Sequence, residues 1–273
     1  TSIDVGFQPN ETGQAFLNTL ADPENNQTAS ARAAGIKLNS AVTGLNTKLE
    51  DNGFAPLQDW EESGLGDITL ASKYRLFQNH LGAIATSNGV VLPTGRVDDV
   101  DILNDIAFGD GQTDIFSQIV LERNLPSKIN LVTHAKYTVQ LPGTKTIREV
   151  EKEEVIEVDK SEARFKLGDK VNTGASVGYT PDSGLVTGVG YSYFKKFGDT
   201  YRDLPVESKE VLETNTVHEA HVAEAALGYT TLPAYLRGDF IAPLELKFTY
   251  LKQLKSKNQP VSDLAQFDVN LFF

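Results

Sequence analysis

The chain has 273 residues, with 25 lysines and arginines against 37 aspartates and glutamates for a net charge of −12, and it has no cysteine. That balance argues against a nucleic-acid binder, because phosphate neutralisation needs a basic face. No stretch reaches the roughly 18 apolar residues of a transmembrane helix, whereas a membrane β-barrel stays open because its strands give lipid only alternate residues.

In chain order, residues 1–7 read as a weak strand. Residues 8–65 then form a link too long to be an idle connection. Within it Ala29, Ala33, Ile36, Ala41, Leu45 and Leu49 recur at helical spacing, Glu24 to Thr28 supplies capping residues, and Asn52-Gly53 supplies a stop. A short helix or two is expected there, placed as a plug in the lumen or as a cap outside; alternatively the segment hides another hairpin.

From residue 67 a period of two takes over. In 67–77, Ile68, Leu70, Tyr74 and Leu76 oppose Asp67, Thr69, Lys73 and Arg75. Weaker strands follow at 81–92 and 112–124. In 128–141, Ile129, Leu131, Ala135, Tyr137, Val139 and Leu141 oppose Lys128, Asn130, His134, Lys136, Thr138 and Gln140. In 171–180, Val171, Ala175, Val177 and Tyr179 oppose Asn172, Gly174, Ser176 and Gly178. In 185–194, Leu185, Val189, Tyr191 and Tyr193 oppose Gly188, Gly190 and Ser192. After a weak strand at 214–229, residues 238–251 place Phe240, Ala242, Leu244, Leu246, Phe248 and Tyr250 against Glu245, Lys247 and Thr249. The chain ends with Ala265, Phe267, Val269, Leu271 and Phe273 on one face and mainly polar Gln266, Asp268 and Asn270 on the other.

These elements make an all-β chain, a single domain over 1–273: an antiparallel up-and-down transmembrane β-barrel of about ten strands, or twelve with a hairpin hidden in 8–65. Short links near 78–81, 124–128, 180–184 and 230–236 alternate with long ones at 8–65, 93–111, 142–168, 195–213 and 252–261. Periplasmic turns are short and extracellular loops long, so both termini are expected on the periplasmic side. The terminal pattern of Phe267, Val269, Leu271 and Phe273 resembles the signal read by outer-membrane barrel assembly machinery, which is therefore an expected partner together with outer-membrane lipid and lipopolysaccharide. No N-terminal signal segment is visible, so an exported protein would be in its mature form.

The inward parity collects Asp67, Lys73, Arg75, Asp114, Glu122, Lys128, His134, Lys136, Glu224, Glu245, Lys247 and Asp268. Such a set lines a selective path for a small-molecule solute or pairs into a salt-bridged plug. His218 and His221, three apart on a strand, fall on opposite faces and are poor partners for a metal or a proton relay. Asp98, Asp99, Asp101, Asp105 and Asp110 lack the spacing of a calcium-binding EF-hand loop, and that run, like Glu149 to Glu162, reads as a solvated loop. No cofactor, metal or catalytic residue set is expected.

The run Gly64-Leu65-Gly66-Asp67-Ile68-Thr69-Leu70-Ala71-Ser72-Lys73-Tyr74, the loop start Leu92-Pro93-Thr94-Gly95 and the strand entry Gly109-Asp110-Gly111-Gln112-Thr113-Asp114 resemble, in that order, the outer-membrane proteins named for the meta-cleavage pathway of phenol degradation. The resemblance covers residues 64–141. It implies a bacterial outer-membrane β-barrel that passes small molecules, apolar or aromatic ones among them, and transfers no catalytic residue. The expected function is a passive channel rather than an enzyme, with a non-conducting structural or adhesion barrel bearing acidic extracellular loops as the alternative.

Overall fold

A computed structural model of the chain describes residues 2–5, 43–57, 60–149 and 159–271. Its main body is one antiparallel sheet of nine strands: β3 (Ile68–Asn79), β4 (Gly82–Leu92), β5 (Asp114–Leu125), β6 (Ile129–Gln140), β9 (Lys170–Tyr179), β10 (Leu185–Lys196), β12 (His218–Thr230), β13 (Leu244–Lys257) and β14 (Asp263–Leu271). The spatial order follows the chain order from β3 at one edge to β14 at the other. The N-terminal strand β1 (Ser2–Val5) forms, but pairs with β2 (Trp60–Ser63) outside this sheet.

The connections sort to two ends. At one end the links after β3, β5 and β9 are tight turns, and the link after β12 holds a short helix, α3 (Leu232–Leu236). The turn after β9 closes on Gly184, whose amide donates to the Pro181 carbonyl (3.0 Å) and whose φ is +87°. At the other end the long links fold up. A three-stranded sheet in the order β11 (Thr200–Arg202), β8 (Lys160–Lys166), β7 (Gly143–Arg148) sits there. It carries helix α2 (Val206–Glu213), and helix α1 (43–51) lies at the same end.

The expected helix in the first link is present over 43–51 and stops at Asn52-Gly53, where Gly53 has a φ of +74° and its amide donates to the Glu50 carbonyl (3.0 Å). The part of the expectation over 24–42 lies outside the described residues, as do Phe273 and the acidic residues 150–158.

Three boundaries differ from expectation. The last hairpin's first strand begins at Leu244, because Pro243 has no amide hydrogen for the ladder, so Phe240 and Ala242 precede it. That strand runs on to Lys257, so the link expected at 252–261 shrinks to 258–262. The links at 142–168 and 195–213, expected as loops, contain β7, β8 and β11.

The distribution of apolar side chains is inverted relative to a soluble sheet. Leu121, Val177, Val189, Leu227, Phe248 and Phe267, all on the main sheet's outward parity, are between 43% and 65% exposed. Apolar burial concentrates instead beyond the long-link end of the main sheet. Ile147, Ala163, Phe165 and Leu204 are buried in the β7–β8–β11 layer, and Leu49 and Phe54 beside α1. An aqueous protein forgoes roughly 1.5–3 kcal/mol for each large apolar side chain it leaves exposed. An outward face this rich in exposed apolar side chains, interrupted at the row Ser72, Asn88 and Ser117, is therefore a surface made for lipid. No helix among the described residues is long and apolar enough to cross a membrane.

Candidate functional site: an inward polar face and the mouth above it

The pairing registers carry the inward parity across the sheet in continuous rows. One row runs Gln118, Lys136, Asn172, Phe194, Ala220. The next runs Val120, His134, Gly174, Ser192, Val222, and the next Glu122, Val132, Ser176, Gly190, Glu224. On β13 and β14, Lys247 stands opposite Asp268 and Glu245 opposite Asn270. Lys73 and Arg75 reach the same face through their partners Ser87 and Ala85.

Lys128 does not join them. Ser127 and Lys128 both take φ of +63° in a tight turn, and the Lys128 ammonium pairs with Asp182 in solvent (3.0 Å). Parity counted back from Asn130 fails there because the strand begins only at Ile129.

The inward charges are held mostly by neutral groups. Asn130 donates to Glu122 (2.9 Å), Asn270 to Glu245 (3.4 Å) and Gln266 to Asp268 (2.6 Å). The Arg75 guanidinium donates to Gln78, and the Lys136 ammonium lies 4.1 Å from the centre of the Phe116 ring. His134 bonds Asn172 (2.7 Å). Among the described residues none of these charges makes an ion pair; the inward lysines that do, Lys170 with Asp114 (3.4 Å) and Lys196 with Asp199, lie at the rim.

Glycines let inward rings lie against the wall. A Cβ on Gly174 would stand 2.6 Å from the His134 ring, and one on Gly89 2.5 Å from the Phe116 ring. With Ser176, Gly178, Gly188, Gly190 and Ser192, Gly174 gives β9 and β10 a small-residue inner surface.

The short motifs around Asp67, Gly95 and Gly109 assemble into one joint at the rim. The Asp67 carboxylate accepts the Gly95 amide (2.9 Å) and lies so close to Gly109 that a Cβ there would meet it at 2.3 Å. Thr94 Oγ1 accepts the Ile68 amide (2.9 Å) and donates to the Gly66 carbonyl (3.2 Å). A Cβ on Gly95 would meet the Phe108 carbonyl at 2.7 Å. The motifs thus fasten the entrances of β3 and β5 to the exit of β4.

Beside this joint, Gln140, fully buried, donates to Asp114 (3.1 Å). The Leu167 amide donates to the buried Gln112 side chain (3.2 Å). Burial, with Asp114 and Asp67 nearby, pushes the Asp110 carboxyl above its ordinary value. Asp169 gathers the Tyr137 hydroxyl (2.7 Å), the Lys166 ammonium (2.7 Å) and the Gln140 amide (3.1 Å). Hydrogen bonds from Lys166 and Tyr137 outweigh burial and hold its carboxyl below the usual range.

Above the rim, Arg148 at the end of β7 bridges two links. Its guanidinium donates to the carbonyls of Val100 (2.9 Å) and Gly53 (2.8 Å) and to the Asp101 carboxylate (2.6 Å), and lies 3.5 Å from the centre of the Phe54 ring. The Ala55 amide donates to the Asp101 carbonyl (2.7 Å). This clamp sets residues 52–55 on the outer layer.

The acidic run of the same link serves its own structure. Asp105 takes both terminal nitrogens of Arg96 (2.6 Å each) and the Asp99 amide (2.6 Å), while Asp101 is shared by Arg148 and Lys160. His221, on the lipid-facing side, bonds the Tyr191 hydroxyl through Nδ1 (2.6 Å). Arg148 and Asp169 were not singled out from sequence, and Gln112 stood there only as part of a motif. Each lies in or beside a long link where no period exists to place it.

An inward polar face, an outward apolar band and a folded layer at one end define a bacterial outer-membrane protein with the fold of an outer-membrane channel. Residues 10–211 match the family described as "Putative MetA-pathway of phenol degradation", and the chain belongs to that family. The match extends well past the 64–141 stretch legible by motif. The structure is similar to that of the COG4313 outer membrane channel from Pseudomonas putida F1, with a TM-score of 0.51 at 14% identity. The likeness covers 77% of this chain and 66% of that one, just under two thirds of that protein's length. No curated protein matches the chain.

Proposed function

We propose that the protein is a passive outer-membrane channel for small molecules, aromatic compounds among them. The observation that carries this reading is the inward face, whose charges are spread over its rows and held by amides and rings rather than cross-linked into a plug. The glycine and serine surface of β9 and β10 lets the His134 ring lie against the wall. Family membership and the channel fold favour transport over catalysis.

The two edge strands β3 and β14 run in the same direction, so fully antiparallel closure calls for one more strand between them. A tenth strand there would bring the first and last strands of the wall to the tight-turn, periplasmic end; Ser2–Val5 does not fill that place while it pairs with Trp60–Ser63 at the long-link end. Residues 43–57 are then a cap fastened over the mouth by Arg148. Lys73, Arg75, Glu122, His134, Lys136, Glu224, Glu245, Lys247 and Asp268 line the path, with Asp67 and Asp114 at its rim.

The folded β7–β8–β11 layer with its own apolar core favours a second reading, a non-conducting barrel that presents this layer as an adhesive surface. Planar-bilayer conductance of the intact protein and of a variant lacking residues 10–60 separates the two. Conductance from either supports the channel, and conductance only after deletion makes the cap its gate. Silence from both, with folding shown by a heat-modifiable gel shift, favours the second reading.

A further inference from the structure

β13 is the longest strand of the main sheet, with 14 residues. A barrel strand crosses the bilayer in about 9–11 residues, so the end of β13 projects beyond the lipid-facing band. The band is marked on this strand by the outward Leu246, Phe248 and Tyr250. Directly past it, Lys252, Lys255 and Lys257 are all exposed, with the exposed Leu254 among them. At about 3.4 Å per residue and a tilt near 45°, they stand on the order of 5 to 17 Å above Tyr250 along the membrane normal. That is the depth of lipid headgroups.

The two acids in register with these lysines each have another partner, and Asp263 keeps its charge. Glu219, in register with Lys257, is bridged to Lys195 (2.9 Å), and Asp263, in register with Lys252, accepts the Tyr250 hydroxyl (2.6 Å). Among the described residues, none of the three lysines makes an ion pair. The register partner of Lys255 is His221, so no carboxylate faces it across the ladder. The five-residue link 258–262 builds no layer over this end, whereas the links after β6 and β10 build the β7–β8–β11 sheet.

We propose that Lys252, Lys255 and Lys257 form a docking site for the phosphorylated sugar headgroup of outer-leaflet lipopolysaccharide, whose acyl chains lie along Leu246, Phe248 and Tyr250. The charge complementarity is local and runs against a chain of net charge −12. Ammonium groups bind phosphate as point charges, and the apolar stripe below them supplies the acyl contact. The proposal rests on the long links facing outward, as proposed above, and not on conduction.

The test is lipid binding to the folded, detergent-solubilised protein by native mass spectrometry, with bisphosphorylated lipid A, the same lipid stripped of phosphate, and phosphatidylglycerol as probes. A lysine near an anionic lipid surface contributes about 1 kcal/mol, so Lys252→Gln/Lys255→Gln/Lys257→Gln is expected to weaken bisphosphorylated lipid A on the order of 100-fold. The Lys→Arg triple variant is expected to keep the affinity. Equal binding of phosphorylated and stripped lipid A overturns the proposal. So do equal affinity for phosphatidylglycerol, full competition by millimolar inorganic phosphate, and a folded Gln variant that binds like the parent. Because the readout is lipid and not current, a silent channel leaves this result interpretable.

Discussion

Arg148→Ala is the sharpest perturbation of the mouth. The guanidinium, 8% exposed, reaches the Gly53 and Val100 carbonyls, the Asp101 carboxylate and the Phe54 ring. Hydrogen bonds to a charged group are worth about 1.5–3 kcal/mol each, and they do not add when they share one donor. Asp101 keeps Lys160 at 2.6 Å after the change, so no carboxylate is stranded. The net loss for holding residues 52–55 on the outer layer is therefore about 3 kcal/mol, near the bottom of the range for breaking a buried pair. That corresponds to roughly 150-fold in the local opening equilibrium. Amide hydrogen exchange reads it directly. Ala55, which donates to the Asp101 carbonyl, and Phe54, which donates to the Leu49 carbonyl (2.9 Å), should exchange on the order of 100-fold faster, while the β9 and β10 ladder amides keep their protection. Arg148→Lys should recover only part of the loss, because an ammonium lacks the planar fork. A change of less than about threefold at Ala55 would refute the clamp, since it would leave under ~1 kcal/mol for it.

Other consequences follow from the same structure. Phe165, 2% exposed in the outer layer, should cost about 3–5 kcal/mol of that layer's stability on Phe165→Ala. Heat modifiability of the main sheet should persist, as limited proteolysis set against gel shift would report. On β9, the outward Val177→Arg should cost about 2–4 kcal/mol if it sits near the bilayer midplane, and the inward Ser176→Arg well under 1 kcal/mol, measured by urea titration of folding into vesicles. Hydrogen bonds from Arg96 hold the Asp105 carboxyl below its ordinary value. The stabilisation of the 93–113 link is thus fully present above the unfolded value near pH 3.9, and it drains away as pH falls through the lower folded value. Pepsin cleavage of the link should rise only in that acid window, and Asp105→Asn should flatten the dependence.

The main sheet was legible wherever one strand face meets lipid and the other water. Along 171–179 and 185–193 the alternation of Val177 with Ser176, and of Val189 with Gly190, places each residue without knowledge of its partner strands. The same rule failed at Lys128, because a two-residue turn with positive φ keeps parity in sequence while leaving the sheet. It also failed at Phe240 and Ala242, whose spacing continues the pattern although Pro243 closes the ladder. The Lys252 to Lys257 stretch has the composition of a loop, yet it is strand because β12 reaches far enough to pair with it. The outer layer was invisible: Gly143–Arg148 and Lys160–Lys166 bury one face against a local core, and their alternation is too short to stand out from a charged link. The rim joint was half legible. Its short glycine-bearing motifs stood out in the sequence, but only the fold shows that Asp67, Thr94 and Gly109 approach one another.

The absence of cysteine makes one experiment decisive for the channel reading. Single-channel current is recorded from Ser176→Cys and Val177→Cys in planar bilayers, before and after a membrane-impermeant thiol reagent. The account predicts steady conductance from both, a stepwise drop on modifying Cys at 176, and no reaction at 177, whose side chain lies in lipid. Reaction at 177 with protection at 176, or no current from either folded variant, would contradict it.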